Sequence, residues 1–311
     1  MASFWEIVAE ALVSYWTSPL SLSVLVASFT AMGTLGYVFL TNARNAKLRA
    51  SLLTGLYGVS IFFWGFVAVS LVLCVSQARM VAYSSIGVPV AVAGAIVVGL
   101  AASVIVSFVV WRFGNRSVLR SLKPRDPREG ERWLQEYANL LAEFEGVQRV
   151  RIGIVERPTA IAMALGGRSP SVLVSTGLLA ILDRDQTETV LAHEIMHLKH
   201  HDAEFKVFSH VLSRALIFDP FTKFFDPAVH REREYLADET SARSTGKPAA
   251  LASALLRIAS RGLPTKGVWG LSILGPGRGV FSRYPPLKER VHRLLLLSEL
   301  MTSGHRLSGK A

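Results

Sequence analysis

The sequence predicts an α+β protein in which transmembrane α-helices precede a mostly helical domain with a small β-sheet. Half of its 311 residues are hydrophobic. Three apolar stretches without a charged residue are long enough to cross about 30 Å of hydrocarbon, and they lie at about 20–41, 52–76 and 86–111. Farther along the chain, apolar residues recur at helical spacing and, in short runs, at every second position. These patterns are typical of a membrane domain followed by a mixed domain.

We expect a membrane domain with about three transmembrane helices over residues 1–116, a linker over 117–128 and a second domain over 129–311. The linker has Pro124 and Pro127 among charged residues, which is typical of a connection. The aromatic segment 4–16 is separated from the first span by Ser18-Pro19. It is too short to be a span, so we expect an interfacial helix or an extension of the first span.

The distribution of Lys and Arg predicts the orientation in the membrane. Arg44, Lys47 and Arg49 lie between the first two spans, whereas Arg79 lies between the second and third, and further basic residues follow the third span. Short loops rich in Lys and Arg favour the cytoplasmic side. We therefore expect a multi-pass protein of the plasma membrane whose second domain is cytoplasmic.

Composition also bears on partners. The net charge of +11 is no sign of nucleic-acid binding, because the basic residues gather where the chain leaves the membrane and no basic, aromatic platform is present. Cys74 is the only cysteine, which excludes an intramolecular disulfide and a cysteine-based zinc site. Small residues form a stripe along the third span and favour a packing seam against another span or a second subunit: Ala91, Ala95, Gly99, Ser103 and Ser107. The ordinary abundance of small residues in membrane helices is the alternative.

Periodicity outlines the second domain. Residues 133–144 have a helical apolar face, and Val150 to Ile154 alternate as a strand. Residues 160–165 and 171–175 flank a Gly-Gly-Arg-Ser-Pro sequence, which predicts a hairpin. An exposed edge strand can pair with an extended polypeptide, and the candidate residues are Ala160, Ile161, Ala162, Met163 and Ala164. An interior strand without a substrate role is the alternative.

A metal-binding pattern follows these strands. His193-Glu194-Ile195-Met196-His197 is an HExxH motif in a predicted helix, where residues four apart share a face and can bind one metal ion. Zinc lowers the pKa of a bound water to about 7, and Glu194 is placed to accept its proton. The motif arises by chance in on the order of 1 in 100 chains of this length, so a third ligand is needed.

Glu234 is the candidate third ligand. It lies one helical turn before Asp238 in a charged stretch, and the two share a helix face. Two His and one Glu with an open position are typical of catalytic zinc. Asp238 is then expected to accept a hydrogen bond from a ligand histidine and fix its orientation. The alternative is a solvated helix with surface salt bridges.

The HExxH helix has a predicted start and end. Asp185 can cap it, with Glu188 completing a capping box. A single metal cannot be reached from three successive helical turns, so we interpret His200 and His201 as polar residues at the helix end. Asp202 is expected to help terminate the helix.

These residues resemble membrane-bound gluzincin peptidases of the HtpX heat-shock protease and CAAX prenyl protease type. Glu234 with Ala237-Asp238 resembles the family's ExxAD signature. Residues 171–179 resemble its strand-then-helix lead-in. Residues 159–162 resemble its Asn-Ala-Phe-Ala segment, and 284–290 its late His-Pro-x-x-x-x-Arg element.

The resemblance covers residues from about 130 to 300 and implies a zincin-type domain, one Zn²⁺ per chain and polypeptide substrates at the lipid bilayer. Thr159 stands where the family has Asn, and Tyr284 where it has His. A phenol can donate a hydrogen bond to a developing oxyanion, so Tyr284 is a candidate catalytic residue. A turn residue before Pro285-Pro286 is the alternative.

The segment between the two ligand helices, residues 203–227, holds too few apolar residues for a membrane span. HtpX-type proteins usually carry two more membrane helices there. Apolar residues at helical spacing predict an amphipathic helix, packed on the domain or at the bilayer surface: Phe205, Phe208, Val211, Leu212 and Leu216. This short insert also resembles sensor-transducer metalloproteases of β-lactam resistance.

We therefore expect an integral-membrane, HtpX-like zinc endopeptidase that cleaves membrane or misfolded proteins in membrane protein quality control. One alternative is a signalling protease that cleaves a regulator, although no dedicated sensor domain is evident. The other is a non-catalytic membrane scaffold that retains the fold.

Overall fold

The fold was taken from a computed structural model, which describes residues 3–41, 46–81, 84–167, 169–202, 205–206, 209, 212, 216, 219–261, 273 and 282–308. The described helices are α1 (Phe4–Thr17), α2 (Pro19–Thr41), α3 (Ala46–Ser76), α4 (Ala78–Val81), α5 (Ser84–Leu122), α6 (Arg132–Phe144), α7 (Thr176–Ile181), α8 (Arg184–Lys199), α9 (Pro220–Thr245), α10 (Pro248–Ser260) and α11 (Leu287–Ser308). The strands are β1 (Arg151–Val155), β2 (Ala162–Leu165) and β3 (Ser171–Ser175). The predicted α+β class, with N-terminal membrane helices and a small sheet, is confirmed.

The chain forms two compact units. The first comprises Met1–Phe108 and Val211–Asp226, and the second Val109–His210 and Pro227–Ala311. The domain boundaries proposed from the sequence at 116 and 128 stay a prediction.

Three helical segments among the described residues are long and apolar enough to cross a membrane: Pro19–Thr41, Ser51–Ser76 and Ser85–Ala102. The first two match the predicted spans 20–41 and 52–76 to within a residue, and the third overlaps the predicted span 86–111 but ends at Ala102. Large apolar side chains on them, such as Leu40 and Val97, are more than half exposed. Such a surface is unfavourable in water and favourable in lipid.

The N-terminal aromatic segment forms its own helix, α1, rather than a continuation of α2. Ser3 and Glu6 form a capping box at its start, and the helix ends at Ser18, whose backbone is extended before Pro19. Tyr15 of α1 is fully buried, and its hydroxyl lies 2.8 Å from the Ser70 hydroxyl of α3. The residue before a proline is disfavoured in the helical conformation, which explains the break.

Two buried carboxylates of the segment 211–226 bind helix α3 within the first unit. The Ser60 hydroxyl donates to Asp219 over 3.2 Å, and the Tyr57 hydroxyl donates to Asp226 over 2.8 Å. Asp219 also caps α9, because its Oδ2 accepts the backbone N–H of Thr222. Of the predicted amphipathic helix, Phe208 and Val211 lie outside the described residues.

The three-stranded sheet of the second unit has the order β1-β3-β2. Strand β1 runs parallel to β3, and β2 runs antiparallel to it with Ala162 opposite Val174. The hairpin predicted from residues 160–175 is therefore present.

Both faces of this sheet are covered, which explains why β2 is buried along its whole length. Side chains of one face join a core built with α6, α8, α10 and α11, as Ala162 and Val174 do. Side chains of the other face pack with Leu122 at the end of α5, as Met163 and Leu173 do. This core fixes α8 against the sheet.

Helix α8 begins at Arg184, two positions before the start that we predicted. Asp183 is its N-cap and Gln186 completes the capping box, with bonds of 2.9 and 3.2 Å. The sequence contains two overlapping capping boxes, and the predicted one, Asp185 with Glu188, is wrong. Both of those carboxylates instead bind the Lys247 ammonium, at 2.7 and 2.8 Å.

Arg125 ties the connecting segment to the second unit. Its backbone pairs with Ile154 of β1, and its guanidinium binds Glu131 at 2.6 Å and Glu156 at 2.6 Å. The hydrogen bond from Arg125 lowers the pKa of Glu131 to about 2, against 4.5 for the ordinary group. Because the folded pKa lies below the unfolded one, this pair stabilises the fold above about pH 4.5 and ceases to do so as the pH falls towards 2.

We therefore expect Glu131→Gln to lower Tm at pH 7, and the difference from wild type to shrink as the pH falls from about 5 to about 2.5. Thermal unfolding of the detergent-solubilised protein across this range measures it. Glu129→Gln is the control, because that side chain is 87% exposed. A Tm difference that stays constant with pH would show that Glu131 is not held ionised by Arg125.

Candidate metal centre

Helix α8 places two imidazoles side by side in the interior. His193 and His197 lie four positions apart in the sequence and are both buried. Their Nε2 atoms lie 3.2 Å apart. One helical turn between them makes the rings point the same way. The HExxH motif thus presents two nitrogen donors to one point.

Glu234 on α9 brings a third donor to the same point. Its Oε2 lies 3.5 Å from Nε2 of His193, and its Oε1 lies 3.4 Å from Nε2 of His197. These three residues can offer ligand atoms that all lie within 4.8 Å of one another. Ligand bonds of about 2.0–2.1 Å in a tetrahedron place donors about 3.3–3.4 Å apart, so the spacing fits zinc.

The buried donors also fit a metal by their hydrogen bonding. Oε2 of Glu234 makes no close hydrogen bond among the described residues, and its neighbours are Nη1 of Arg290 at 3.4 Å and Nε2 of His193 at 3.5 Å. A buried carboxylate oxygen without a close hydrogen bond can accept a nearer cation. A metal held by His193, His197 and Glu234 would be such a cation.

Each histidine contacts a carboxylate through its other ring nitrogen. Nδ1 of His193 lies 3.1 Å from Oδ1 of Asp238, and Nδ1 of His197 lies 2.9 Å from Oδ2 of Asp202. A proton held on Nδ1 leaves Nε2 as the donor for a metal. When the rings are neutral, the arrangement therefore favours the tautomer that metal binding requires in both.

The surroundings of His193 favour positive charge. Burial lowers the pKa of His193, but the hydrogen bonds to Asp238 and Glu234 outweigh it and raise the pKa to about 9. Burial likewise raises the pKa of Glu234, but the charge of Lys206 and the contacts with the two histidines keep it well below its usual range. Carboxylates that stay ionised in the interior are suited to holding a cation.

The contact between Asp202 and His197 was missed from the sequence, where Asp202 was interpreted only as a helix terminator. His201 has a φ of 55°, in the left-handed region, directly after the helix C-cap at His200. This turn brings the fully buried Asp202 back to the ring of His197. The Nε of Arg233 on α9 also binds Asp202. The available signal was a polar residue five positions after the second histidine.

Arg290 on α11 holds Asp238 in a two-pronged contact. Its Nε and Nη2 donate to the two carboxylate oxygens of Asp238, both over 2.7 Å. Its Nη1 donates to the carbonyl oxygen of Ile273 over 2.7 Å and lies 3.4 Å from Oε2 of Glu234. The sequence identified Arg290 only as the last residue of the element 284–290.

We expect Arg290→Met to lower the free energy of unfolding by about 3–5 kcal/mol, because it leaves the buried Asp238 carboxylate without its cation. Chemical unfolding in detergent measures the loss. Arg293→Met is the matched control on the same helix, since the Arg293 side chain is 52% exposed and pairs with Glu289. Equal stability of the two variants would contradict a structural role for the Arg290 contact.

Glu194 and Tyr284 complete the candidate site. Glu194 is buried, and its Oε1 has no hydrogen-bond partner among the described residues. Burial raises the pKa of Tyr284 above its ordinary value, and the negative charges of Glu234 and Glu194 add to this rise. The phenol of Tyr284 therefore stays protonated and is a hydrogen-bond donor.

Strand β2 lies at one edge of the sheet, where the substrate strand was predicted. The carbonyl of Ile161 accepts from the N–H of Ser175, so the carbonyl of Ala162 points to the outer edge. There it accepts the N–H of Ile273 over 3.1 Å. Part of the outer edge is therefore already hydrogen-bonded within the chain. The role of Ala160 to Ala164 in substrate binding stays a prediction.

Apolar helices able to cross a bilayer, together with a buried cluster of the two HExxH histidines and a glutamate of a second helix, define a membrane metallopeptidase. A family model described as BlaR1 peptidase M56 matches residues 64–269. The chain belongs to this family of peptidases. Curated relatives add that it is similar to HtpX proteases.

The protease HtpX homologue of Pyrococcus furiosus is 33% identical over 250 residues, which cover 65% of this chain and 86% of that protein. The homologue of Pyrococcus abyssi is 30% identical over 250 residues, with the same coverage. A match to the crystal structure of S. mikatae Ste24p covers 94% of this chain and 99% of that chain, at 14% identity and a TM-score of 0.37.

The predicted resemblance to HtpX-type proteases and the predicted protease class are confirmed by these matches. The apolar helices identify the chain as a membrane protein, and the cluster of His193, His197 and Glu234 gives it a candidate metal site.

Proposed function

We propose that this protein is a zinc endopeptidase in which His193, His197 and Glu234 hold one Zn²⁺ and Glu194 is the general base. The convergence of three donor atoms at tetrahedral spacing supports this assignment. Zinc in such a site would supply a Lewis acid and lower the pKa of a water to about 7.

The residues around the metal would then transfer the proton, stabilise the oxyanion and orient the ligands. Glu194 accepts the proton of the attacking water and returns it to the leaving amine. Tyr284, protonated near Glu194, donates a hydrogen bond to the oxygen on which charge develops. Asp238 and Asp202 hold the two imidazoles in orientation through Nδ1.

We propose an extended polypeptide as the substrate, bound along the outer edge of β2 on the Ala164 side of the bond between Ala162 and Ile273. Residues two apart on a strand direct their backbone groups to the same side, so Ala164 faces the same edge as Ala162. Main-chain pairing there would bind many sequences with little selectivity. This suits the cleavage of membrane or misfolded proteins in membrane protein quality control.

The experiment that tests this function is cleavage of casein and of a membrane protein by the purified chain in liposomes. Activity is expected to vanish when a chelator removes the metal and to return with Zn²⁺ in stoichiometric amount. Full cleavage by protein shown by metal analysis to be zinc-free would overturn the proposal.

A signalling protease is the second candidate, because the matching family model carries the BlaR1 description. The two candidates differ in breadth of substrates. A quality-control enzyme is expected to cleave several unrelated membrane proteins in reconstituted vesicles, whereas a signalling protease is expected to cleave one regulator and spare the rest.

We also propose that the second unit faces the cytoplasm and the N-terminus the outside of a plasma membrane. The excess of Lys and Arg in the first loop and after the third span supports this orientation. In a Cys74→Ser background, Ser3→Cys should react with an impermeant maleimide added to intact cells, and Glu129→Cys only after lysis. The opposite pattern would reverse the orientation. Self-association through the small-residue stripe of the third span stays a prediction.

A further inference from the structure

Lys206 carries a positive charge to the edge of the candidate metal centre. It is 8% exposed, and its Nζ lies 2.7 Å from Oε1 of Glu234. This is the same oxygen that lies 3.4 Å from Nε2 of His197. The ammonium therefore contacts a proposed ligand atom directly. Lys206 has no part in the proposed roles of the metal, the general base or the oxyanion donor.

The site is already neutralised carboxylate by carboxylate. Arg233 contacts Asp202, and Arg290 contacts Asp238, so each of these cations binds a carboxylate that orients a histidine. Glu234 contacts Lys206 at 2.7 Å through Oε1 and Arg290 at 3.4 Å through Oε2. A metal bound by Glu234 would therefore add its charge beside that of Lys206.

We propose that Lys206 is the counter-charge of Glu234 and that it weakens metal binding at this centre. When no metal is bound, the ammonium lies against Oε1 of the buried Glu234 carboxylate and, together with Arg290 near Oε2, neutralises its charge. When a metal binds, the ammonium repels it and keeps its affinity moderate, so that metal loading responds to the metal supply. The inference rests on the proposed function, in which Glu234 is a ligand.

Lys206 can strengthen metal binding by positioning Glu234 or weaken it by repelling the metal ion. The larger of these two effects decides whether Lys206 raises or lowers the metal affinity. A residue that merely positions a ligand strengthens metal binding by about 10–100-fold. Glu234 needs little such help, because it is itself buried and has Arg290 3.4 Å from its other oxygen. Repulsion between an ammonium and a divalent ion in a buried site is large, since water screens it poorly. We expect the repulsion to prevail.

The test is the zinc affinity of the full-length, detergent-solubilised protein, measured by competition with a fluorescent chelator. Lys206→Met is expected to bind Zn²⁺ at least about tenfold more tightly than wild type. Lys206→Arg, which keeps the charge, should stay near wild type. Lys247→Met removes a charge that pairs with Asp185 and Glu188 instead, and should leave the affinity unchanged. Equal or weaker binding by Lys206→Met would overturn the inference.

A second measurement covers the case in which metal-free Lys206→Met does not fold. The variant is then purified with Zn²⁺ bound, and transfer of zinc to excess chelator is followed in time. Slower release than from wild type supports the inference, and equal or faster release refutes it. If wild type itself binds no zinc, or if His197→Ala binds it as tightly as wild type, the proposed function has failed, which these controls separate from failure of the Lys206 inference alone.

Discussion

Glu194→Gln is expected to lower kcat by about 10²–10⁴-fold while the protein keeps its metal. Glutamine has nearly the same shape as glutamate but cannot accept the proton of the attacking water. Glu194 is buried beside the two histidines, yet its Oε1 has no hydrogen-bond partner among the described residues. The fold therefore has little need of its charge, and we expect the loss to fall on the chemical step.

Steady-state cleavage of a labelled polypeptide, with metal analysis of the same preparation, measures this effect. Glu188→Gln is the matched control on α8, because Glu188 binds Arg184 and Lys247 rather than the site. Undiminished cleavage by Glu194→Gln would rule out the general-base role. Loss of metal together with activity would show that Glu194 supports the centre instead.

Glu234→Ala is expected to weaken metal binding by more than about 100-fold, because it removes a donor rather than a residue that orients one. The two histidines that remain offer only two of the donors that a catalytic zinc site requires. Activity at ordinary metal concentrations should be lost with the metal. The variant also leaves Lys206 and Arg290 without the carboxylate that they contact.

Metal content after dialysis, followed by titration of Zn²⁺ against cleavage, measures this second effect. Glu239→Ala is the control on the same helix, since its side chain is 56% exposed and pairs with Arg243. A Glu234→Ala variant that retains one metal per chain after dialysis would contradict its assignment as a ligand.

The features that follow a local period could be predicted from the sequence. The three spans are long uncharged stretches, and the structure has apolar helices at the same places. The HExxH motif and the pair Glu234 and Asp238 each depend on the four-residue repeat of a helix, which requires no knowledge of the fold. Strands β2 and β3 were visible as two apolar runs around a glycine-rich turn.

Features that depend on a turn or on distant parts of the chain could not be predicted in this way. Asp202 reaches His197 because His201 adopts a left-handed backbone conformation, and no simple sequence pattern predicts that conformation at a histidine. The predicted start of α8 was wrong because Asp183 and Asp185 are both plausible first residues of a capping box. In the structure Asp183 is the N-cap, whereas Asp185 forms an ion pair with Lys247.

The partners of Arg290 and the edge of β2 belong to the same group. Arg290 meets Asp238 across 52 residues of sequence, and Ile273 meets Ala162 from another part of the chain. Lys206 could not be identified from the sequence, because a lone lysine in an amphipathic segment is ordinarily solvated. Its contact with Glu234 joins residues 28 positions apart and depends on the tertiary fold.

X-ray absorption spectroscopy at the zinc edge of the purified, zinc-loaded protein examines the metal centre itself. We expect one zinc per chain, with two imidazoles and carboxylate or water oxygens at about 2.0–2.2 Å. No sulfur from cysteine should appear, because the only cysteine, Cys74, lies in the apolar helix α3. A sulfur shell, or an imidazole signature that persists unchanged in a His193→Ala, His197→Ala double variant, would show that the metal is bound elsewhere and that the proposed active site is wrong.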